Sequence, residues 1–367
     1  MFKKKTSAVF AALFAATALC GCSANASPDI EPHLISVPSA SPVRPIDSSE
    51  TQIIPYEVCD AGSEKYRERV DTLYSVVVED GKKPVFSDGD PLAEVYGAAV
   101  DILDRYVLNE WHGSTTGEYN TVHTIHDYLV AYVDYDFELY ESYRNGDTSA
   151  MNSPSFDIDG VFLNKRAVCD GISRAFNFLC AIEGIESVRV TGTFMGVPHA
   201  WNKVRIGGVQ YNVDVTADAA NYSIGDSLYK QISHGYFLLG DRTFRNFRAG
   251  EPPRRHVFEG DFSGGEDYDY YADKALTVGG KTFSCVIKSA AELNALFEAV
   301  SAQKGEVGKI EVKLDFEGKI NVNDGDMYAR EIAAAYGKLK NADFSVTSSQ
   351  KPYFQAPNGV YLFLMYK

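Results

Sequence analysis

Leu92, Val95, Tyr96, Ala99, Leu103 and Tyr106 recur at intervals of three and four, and Val122, Ile125, Leu129 and Tyr132 repeat that spacing further on. Each set lies along one face of a helix, so both segments are predicted as amphipathic helices that bury the face. Residues 142–159 then turn polar, rich in Asn, Gly, Asp and Ser, and are expected as a surface loop ahead of Val161, Phe162 and Leu163. A helix of about 13 residues follows, from Gly171 or just before it to about Glu183, with Gly184 ending it. That places Cys169 at the helix N-terminus.

Beyond Gly184 the period shortens to two. Residues 187–194, 199–206 and 209–215 read as strands, with Gly207-Gly208 as a two-residue hairpin turn. If Ile206 faces Val209, Arg205 lies opposite Gln210, Lys203 opposite Asn212, Trp201 opposite Asp214 and His199 opposite Thr216. These share a polar face, while Ala200, Val204, Ile206, Val209, Tyr211, Val213 and Val215 form the core face, with Asn202 discordant among them. His199 and Asp214 become diagonal neighbours, about 7 to 8 Å apart at the backbone and within side-chain reach.

Strand and helix signals alternate in the last hundred residues. Residues 281–288 and 309–316 are strand-like and flank a helix capped by Ser289, with Leu293, Leu296, Phe297 and Val300 inward. A second helix near 326–339 and strands near 344–348 and 360–366 complete a small α+β unit. The turn-rich segment 262–272 is the expected boundary, giving a larger domain over 56–265 and an accessory domain over 266–367. The Asp-Tyr-Asp-Tyr-Tyr at 267–271 is expected as a solvated acidic junction, and Ser/Pro-rich residues 23–55 as a flexible spacer.

The first 22 residues change where this body is expected to be. Lys3, Lys4 and Lys5 precede an uncharged, mostly apolar run from Ala8 to Leu19, which reads as an export signal too short for a typical spanning helix. Leu19-Cys20-Gly21-Cys22 is similar to the lipobox of bacterial lipoproteins, which makes Cys22 the expected lipid-attachment residue; ordinary cleavage after Ala26 is the alternative. Either route exports the protein, to the outer face of the cytoplasmic membrane or the cell surface if anchored and as a secreted protein if not. Removing three lysines and no acid takes the formal charge from −15 to −18. Such a surface argues against nucleic acid as a partner and against anchoring by a basic patch, leaving acyl chains as the anchor.

Five cysteines remain after the signal: Cys22, Cys59, Cys169, Cys180 and Cys285. Cys169 and Cys180, eleven residues apart on one helix, are separated by about 16 Å of rise, too far to bond. Cys180 is expected as a small core residue, and a Cys59–Cys285 bridge is left open.

Cys169, His199 and Asp214 together carry the residue types acyl transfer needs: a thiolate to attack a carbonyl, a base to take and return its proton, and a carboxylate to orient the base. A helix N-terminus favours thiolate and can present its own N–H to the oxyanion. Trp201, next to Asp214 on the hairpin, is expected in the substrate groove or supporting the site. His112, His123 and His126 lack a completing acidic or cysteine pattern and are read as core or surface residues, so neither metal nor organic cofactor is called for.

The chain resembles the bacterial transglutaminase-like superfamily, related in architecture to papain-type cysteine proteases. The resemblance runs through Val122-His-Thr-Ile-His-Asp-Tyr-Leu-Val130, Asn164-Lys-Arg-Ala-Val-Cys-Asp-Gly171, His199-Ala-Trp-Asn202, Tyr211-Asn-Val-Asp-Val-Thr216 and Gly235-Tyr-Phe-Leu-Leu239. It departs at Ala217, where many members carry tryptophan, and at Ile172, where tyrosine often stands. The resemblance implies an α+β core in which a Cys-bearing helix packs on an antiparallel sheet bearing His and Asp. It also implies Cys169 as nucleophile, His199 as general base and acid, and Asp214 as orienter, acting on a protein or peptide amide. One thioester can be resolved by water or by an amine, and some members have lost activity, so peptidase, amidase, cross-linker and non-catalytic binding module all remain open.

Overall fold

The structure is a computed structural model that describes residues 47–107, 115–194, 196–224, 227–232, 234, 236–241, 244, 256–257, 269–270, 274–303, 308–314, 353–356 and 359–366. The signal segment with Cys22, His112, and the helix and strand expected at 326–339 and 344–348 lie outside these residues.

Strand β1 (Asp47–Ile53) pairs parallel with β2 (Lys82–Val85), on either side of helix α1 (Glu64–Val78). The expected spacer therefore ends in a strand. Its side chains stay largely exposed, so backbone pairing holds it and no apolar period marks it. Helix α1 also lacked a clean period, because Arg67 and Arg69 lie on its buried side among Val70, Leu73 and Val77. Arg67 forks onto both oxygens of Asp159 at 2.7 and 2.5 Å, and Arg69 meets Asp90 at 2.6 Å, which makes their burial tolerable.

The two predicted helices are α2 (Leu92–Tyr106) and α3 (Thr115–Tyr132), with Leu92, Val95, Ala99, Leu103, Val122, Ile125 and Leu129 in one continuous core. The final member of each stripe, Tyr106 and Tyr132, is exposed. Strand β3 (Asp134–Tyr135) follows and pairs parallel with β4 (Arg166–Ala167), which feeds directly into the cysteine helix.

Residues 142–159 are not a surface loop throughout. They continue helix α4 (Phe137–Arg144) into two 3₁₀ turns, and Ser155, Asp157, Ile158 and Asp159 are buried. Their polarity is satisfied locally: Ser155 Oγ donates to Asp136 at 2.7 Å, and Asp157 receives Arg174 at 3.0 Å. Burial raises the Asp157 carboxyl to about 6 against the pull of Arg174. The Ser155 carbonyl accepts from Val168 N at 2.8 Å, so this segment is the cradle of the cysteine helix.

Helix α5 (Cys169–Ile182) packs on an antiparallel sheet ordered β10-β5-β6-β7, with β5 (Ser187–Phe194), β6 (Val197–Ile206), β7 (Val209–Val213) and β10 (His256–Val257). The hairpin register is the expected one, Ile206 facing Val209 and Lys203 facing Asn212. The discordant Asn202 is used by the helix: its amide donates to Ser173 O at 2.9 Å and Asn177 Oδ1 at 2.8 Å.

The opposite face is not solvated. Trp201, Lys203 and Asn212 are buried there, Trp201 within a second core of Val188, Val190, Tyr236, Leu239, Phe244 and Cys285. Lys203 Nζ reaches Asp241 at 2.8 Å, and Asn212 is bonded to Leu239 and Asp241. Residues 236–241 cover what the alternation alone marked as polar.

A short helix α6 (Val215–Asp218) ends β7, followed by the hairpin β8 (Ala219–Ile224) and β9 (Ser227–Ile232). After β10, a hairpin of β11 (Ala275–Val278) and β12 (Lys281–Ser284) leads to a sheet ordered β13-β14-β16-β15. Its strands are β13 (Val286–Ile287), β14 (Gly308–Leu314), β15 (Tyr353–Ala356) and β16 (Gly359–Tyr366). Helix α7 (Ala290–Ser301) is capped by Ser289 Oγ and buries Leu293, Leu296, Phe297 and Val300, as its period predicts. The junction is not a solvated acidic segment where it is described. Asp269 is buried, accepts from Gly240 N at 3.1 Å and pairs with Lys313 at 3.2 Å, while Tyr270 stacks on Tyr119. Among the described cysteines, Cys59, Cys169, Cys180 and Cys285 are all free thiols.

Candidate active site

Cys169 is the first residue of α5, with Val168 as its N-cap in extended conformation. Two residues on, Gly171 is pressed against the cradle: a Cβ there would lie 2.6 Å from Ser155 O and 3.1 Å from the Ala167 Cβ. Only a glycine lets this turn seat so closely, which sets the height at which the thiol emerges. Arg189 of β5 pairs with Asp170 and ties the same turn to the sheet.

Strand β7 stops at Val213, and Asp214 is the N-cap of α6, with Oδ1 accepting from Ala217 N at 2.9 Å. The expected pairing of Trp201 with Asp214 and of His199 with Thr216 is therefore not made, yet the predicted side-chain contact is. His199 Nε2 lies 2.7 Å from Asp214 Oδ2. The cap turns the other carboxylate oxygen back toward the sheet, achieving what the diagonal geometry required.

With Nε2 engaged by Asp214, Nδ1 of His199 is the nitrogen left free of that carboxylate, and Cys169 lies near enough to act on the charge of the ring. Burial alone would lower the imidazole pKa, but Asp214, and after it Cys169, outweigh burial and raise it to about 10. His199 therefore favours its charged form at neutral pH. Burial would push Asp214 up, whereas His199 and His256 together pull it well below the usual carboxylate range.

Residues 105–215 match the family model of the transglutaminase-like superfamily, a span that contains Cys169, His199 and Asp214. Over this segment the chain is similar to the transglutaminase-like superfamily. Two solved structures are similar to part of the chain. One is described as a TGase, at 16% identity and TM-score 0.31, covering 45% of this chain and 41% of that one. The other is a candidate cysteine protease from Cytophaga hutchinsonii, at 18% identity and TM-score 0.24, covering 40% of this chain and 54% of that one. The chain thus spans about half or less of the length of either structure. A search of the curated proteins found no match.

Three further residues that the sequence pattern did not single out lie at the site, and the first of them, His256, is outside the matched segment. His256 of β10 places Nε2 2.7 Å from the same Asp214 Oδ2 that His199 uses. β10 can reach this position because Gly192 has no side chain: a Cβ there would meet Val257 O at 2.1 Å. Nothing in Arg254-Arg255-His256 signals that role. Tyr135 is the second. It lies beside Cys169, and burial first, with the neighbouring thiol adding to it, holds the phenol well above its ordinary pKa. Its sequence signal is only adjacency in the fold, since Tyr135 pairs with Ala167, two residues before Cys169. Tyr140 is the third, near enough to Cys169 for the thiol to raise its pKa further, after burial.

Trp201 is 1% exposed. It stacks with His199 at 6.1 Å between ring centroids and meets His256 edge-on at 5.0 Å, its Nε1 donating to Asn212 at 3.3 Å. Its place is to hold the two imidazoles in register. Cys180 is fully buried, and burial pushes its thiol pKa up, as for an inert core cysteine.

A second group of histidines lies away from these residues. His126 is buried, Nδ1 3.0 Å from Asp127 and Nε2 3.1 Å from Asp218, and those carboxylates raise its pKa to about 9 against the opposing effect of burial. His123 and His234 flank the same Asp127.

Proposed function

We propose that this protein performs thiol-dependent acyl transfer on protein or peptide amides, with Cys169 as nucleophile, His199 as acid and base, and Asp214 as orienter. The observation that carries the reading is the 2.7 Å contact of His199 Nε2 with Asp214 Oδ2, with Cys169 at a helix start close enough to act on the same imidazole. Cys169 Sγ attacks the amide carbonyl carbon, and His199 Nδ1 then protonates the departing nitrogen as the C–N bond breaks. A thioester remains. Water or an amine attacks it and gives its proton to His199, and the C–S bond breaks to release the Cys169 thiolate beside the imidazolium.

The Cys169 N–H is one donor to the tetrahedral oxyanion, and Tyr135 supplies the other. Burial keeps the phenol protonated beside Cys169. An incoming carbonyl oxygen placed between the hydroxyl and the N–H would receive both hydrogens.

The test combines a glutamine-donor protein with a fluorescent amine. Label incorporation that depends on Cys169 assigns transfer, and peptide cleavage without incorporation assigns hydrolysis. Tyr135→Phe is expected to lower either product by about 100-fold, the cost of one oxyanion donor. Neither product at any enzyme concentration would replace the reading with that of a binding module that keeps the fold.

Export and anchoring through Cys22 place this chemistry on cell-envelope substrates. Labelled palmitate should enter the wild-type chain and not Cys22→Ser; labelling of neither would leave a secreted protein.

A further inference from the structure

We propose that His123, Asp127 and His234 form a binding site for a divalent ion of the zinc class. Their candidate ligand atoms all lie within 4.8 Å of one another. His123 Nδ1 is 3.4 Å from Asp127 Oδ2, close to the roughly 3.3 Å that separates two ligands each about 2.0–2.1 Å from a shared tetrahedral ion. His234 Nε2 is 2.6 Å from Oδ1 of the same carboxylate, a hydrogen bond that a small rotation of the carboxylate replaces with a shared ion. The His123 and His234 rings stack at 4.7 Å and 25°, so they present their nitrogens side by side.

The surroundings have the form of an outer ligand shell. Asp127 Oδ1 is held by His126 Nδ1 at 3.0 Å, His126 Nε2 by Asp218 Oδ2 at 3.1 Å, and both Asp218 oxygens accept from Tyr236 N. Such hydrogen-bonded partners fix the orientation of ligating carboxylates and imidazoles. His126, with both ring nitrogens engaged by carboxylates, is a support and not a ligand. Both ligand imidazoles are buried, while the Asp127 side chain keeps 25% exposure, which leaves an entry path and room for water to complete the coordination.

The site shares no residue with the triad but is tied to it. Asp214 caps α6 and Asp218 ends it, so an ion here braces α3, α6 and the 234–236 segment around the turn that carries Asp214. The role is structural, because no ligand approaches the Cys169 contacts described above.

Chelator-treated full-length protein is titrated with Zn²⁺ in competition with a chromophoric chelator, and with Co²⁺ for its absorption spectrum. One ion per chain is expected, with a higher Tm, and weakening of at least about tenfold in His123→Ala and in His234→Ala. His256→Ala removes the other His-Asp-His group and should leave the affinity unchanged. Should a ligand variant fail to fold, the wild-type Co²⁺ spectrum still decides, with ligand-field bands and no thiolate charge-transfer band expected. No stoichiometric binding, a thiolate band, or full affinity in both ligand variants would overturn the site.

Discussion

Iodoacetamide should alkylate Cys169 rapidly near neutral pH, and His199→Ala should slow that reaction about tenfold or more while lowering acyl-transfer turnover by about 10⁴. The two numbers differ because they read different roles. Alkylation needs only a thiolate, and an unassisted cysteine is a few per cent thiolate at pH 7, so removing the charged imidazole beside Cys169 costs one to two orders of magnitude. Turnover also needs a proton delivered to the leaving nitrogen and later withdrawn from water or amine, and removing one member of such a unit disables the whole. Cys169→Ala should abolish turnover outright. Peptide mass mapping separates Cys169 from the partly exposed Cys59, and the fully buried Cys180 should stay unlabelled. Equal, slow labelling of Cys169 in wild type and His199→Ala would remove the catalytic reading.

Asp214→Ala is expected to cost about 3–5 kcal/mol of stability as well as activity, because it leaves two buried imidazoles and the Ala217 N–H without their shared acceptor. Asp214→Asn keeps an acceptor for the Ala217 N–H and should cost less stability than Asp214→Ala. It removes the charge that selects the imidazole tautomer, so its turnover should fall by about 10⁴. The pH dependence of unfolding gives an independent reading. His199 has a folded pKa raised to about 10 from an unfolded value near 6.5. Its contribution is therefore complete below about pH 6.5 and lost as pH rises through about 10, at up to about 1.4 kcal/mol per pH unit. His126, raised to about 9, acts in the same direction and remains in the variant. Denaturant midpoints between pH 6.5 and 10 should fall more shallowly in Asp214→Asn than in wild type; parallel curves would show that Asp214 does not set the His199 charge.

The helices α2, α3 and α5 and the β6-β7 register were legible because a single buried face writes its period into the chain, and the Gly207-Gly208 turn leaves one register. Helix α1 was not, since its buried arginines are made tolerable by carboxylates at Asp90 and Asp159, far along the chain. The cradle at residues 153–159 looked like surface for the same reason: its polar side chains find partners that no local pattern reveals. The buried second face of the sheet is a further case, hidden because Lys203 and Asn212 meet Asp241 and Trp201 packs on Phe244.

His199 and Asp214 were expected to touch on hairpin geometry, and they do, although Asp214 reaches His199 from a helix cap and not from a strand position. His256 and Tyr135 had no such route. Each arrives at the site through pairing with a distant strand, His256 through β5 and Tyr135 through β4.

The sequence by itself determined the residue chemistry and the local frames: a thiol at a helix start, an imidazole and a carboxylate on one short hairpin, and the register between its strands. These follow from periodicity, turn residues and caps, which act over a few positions. Only the tertiary structure decided that one carboxylate oxygen serves two histidines, that a buried tyrosine lies beside the nucleophile, and that His234 joins His123 and Asp127. Those contacts span up to 107 residues, and they form because burial makes each polar group find a partner wherever the packed chain supplies one.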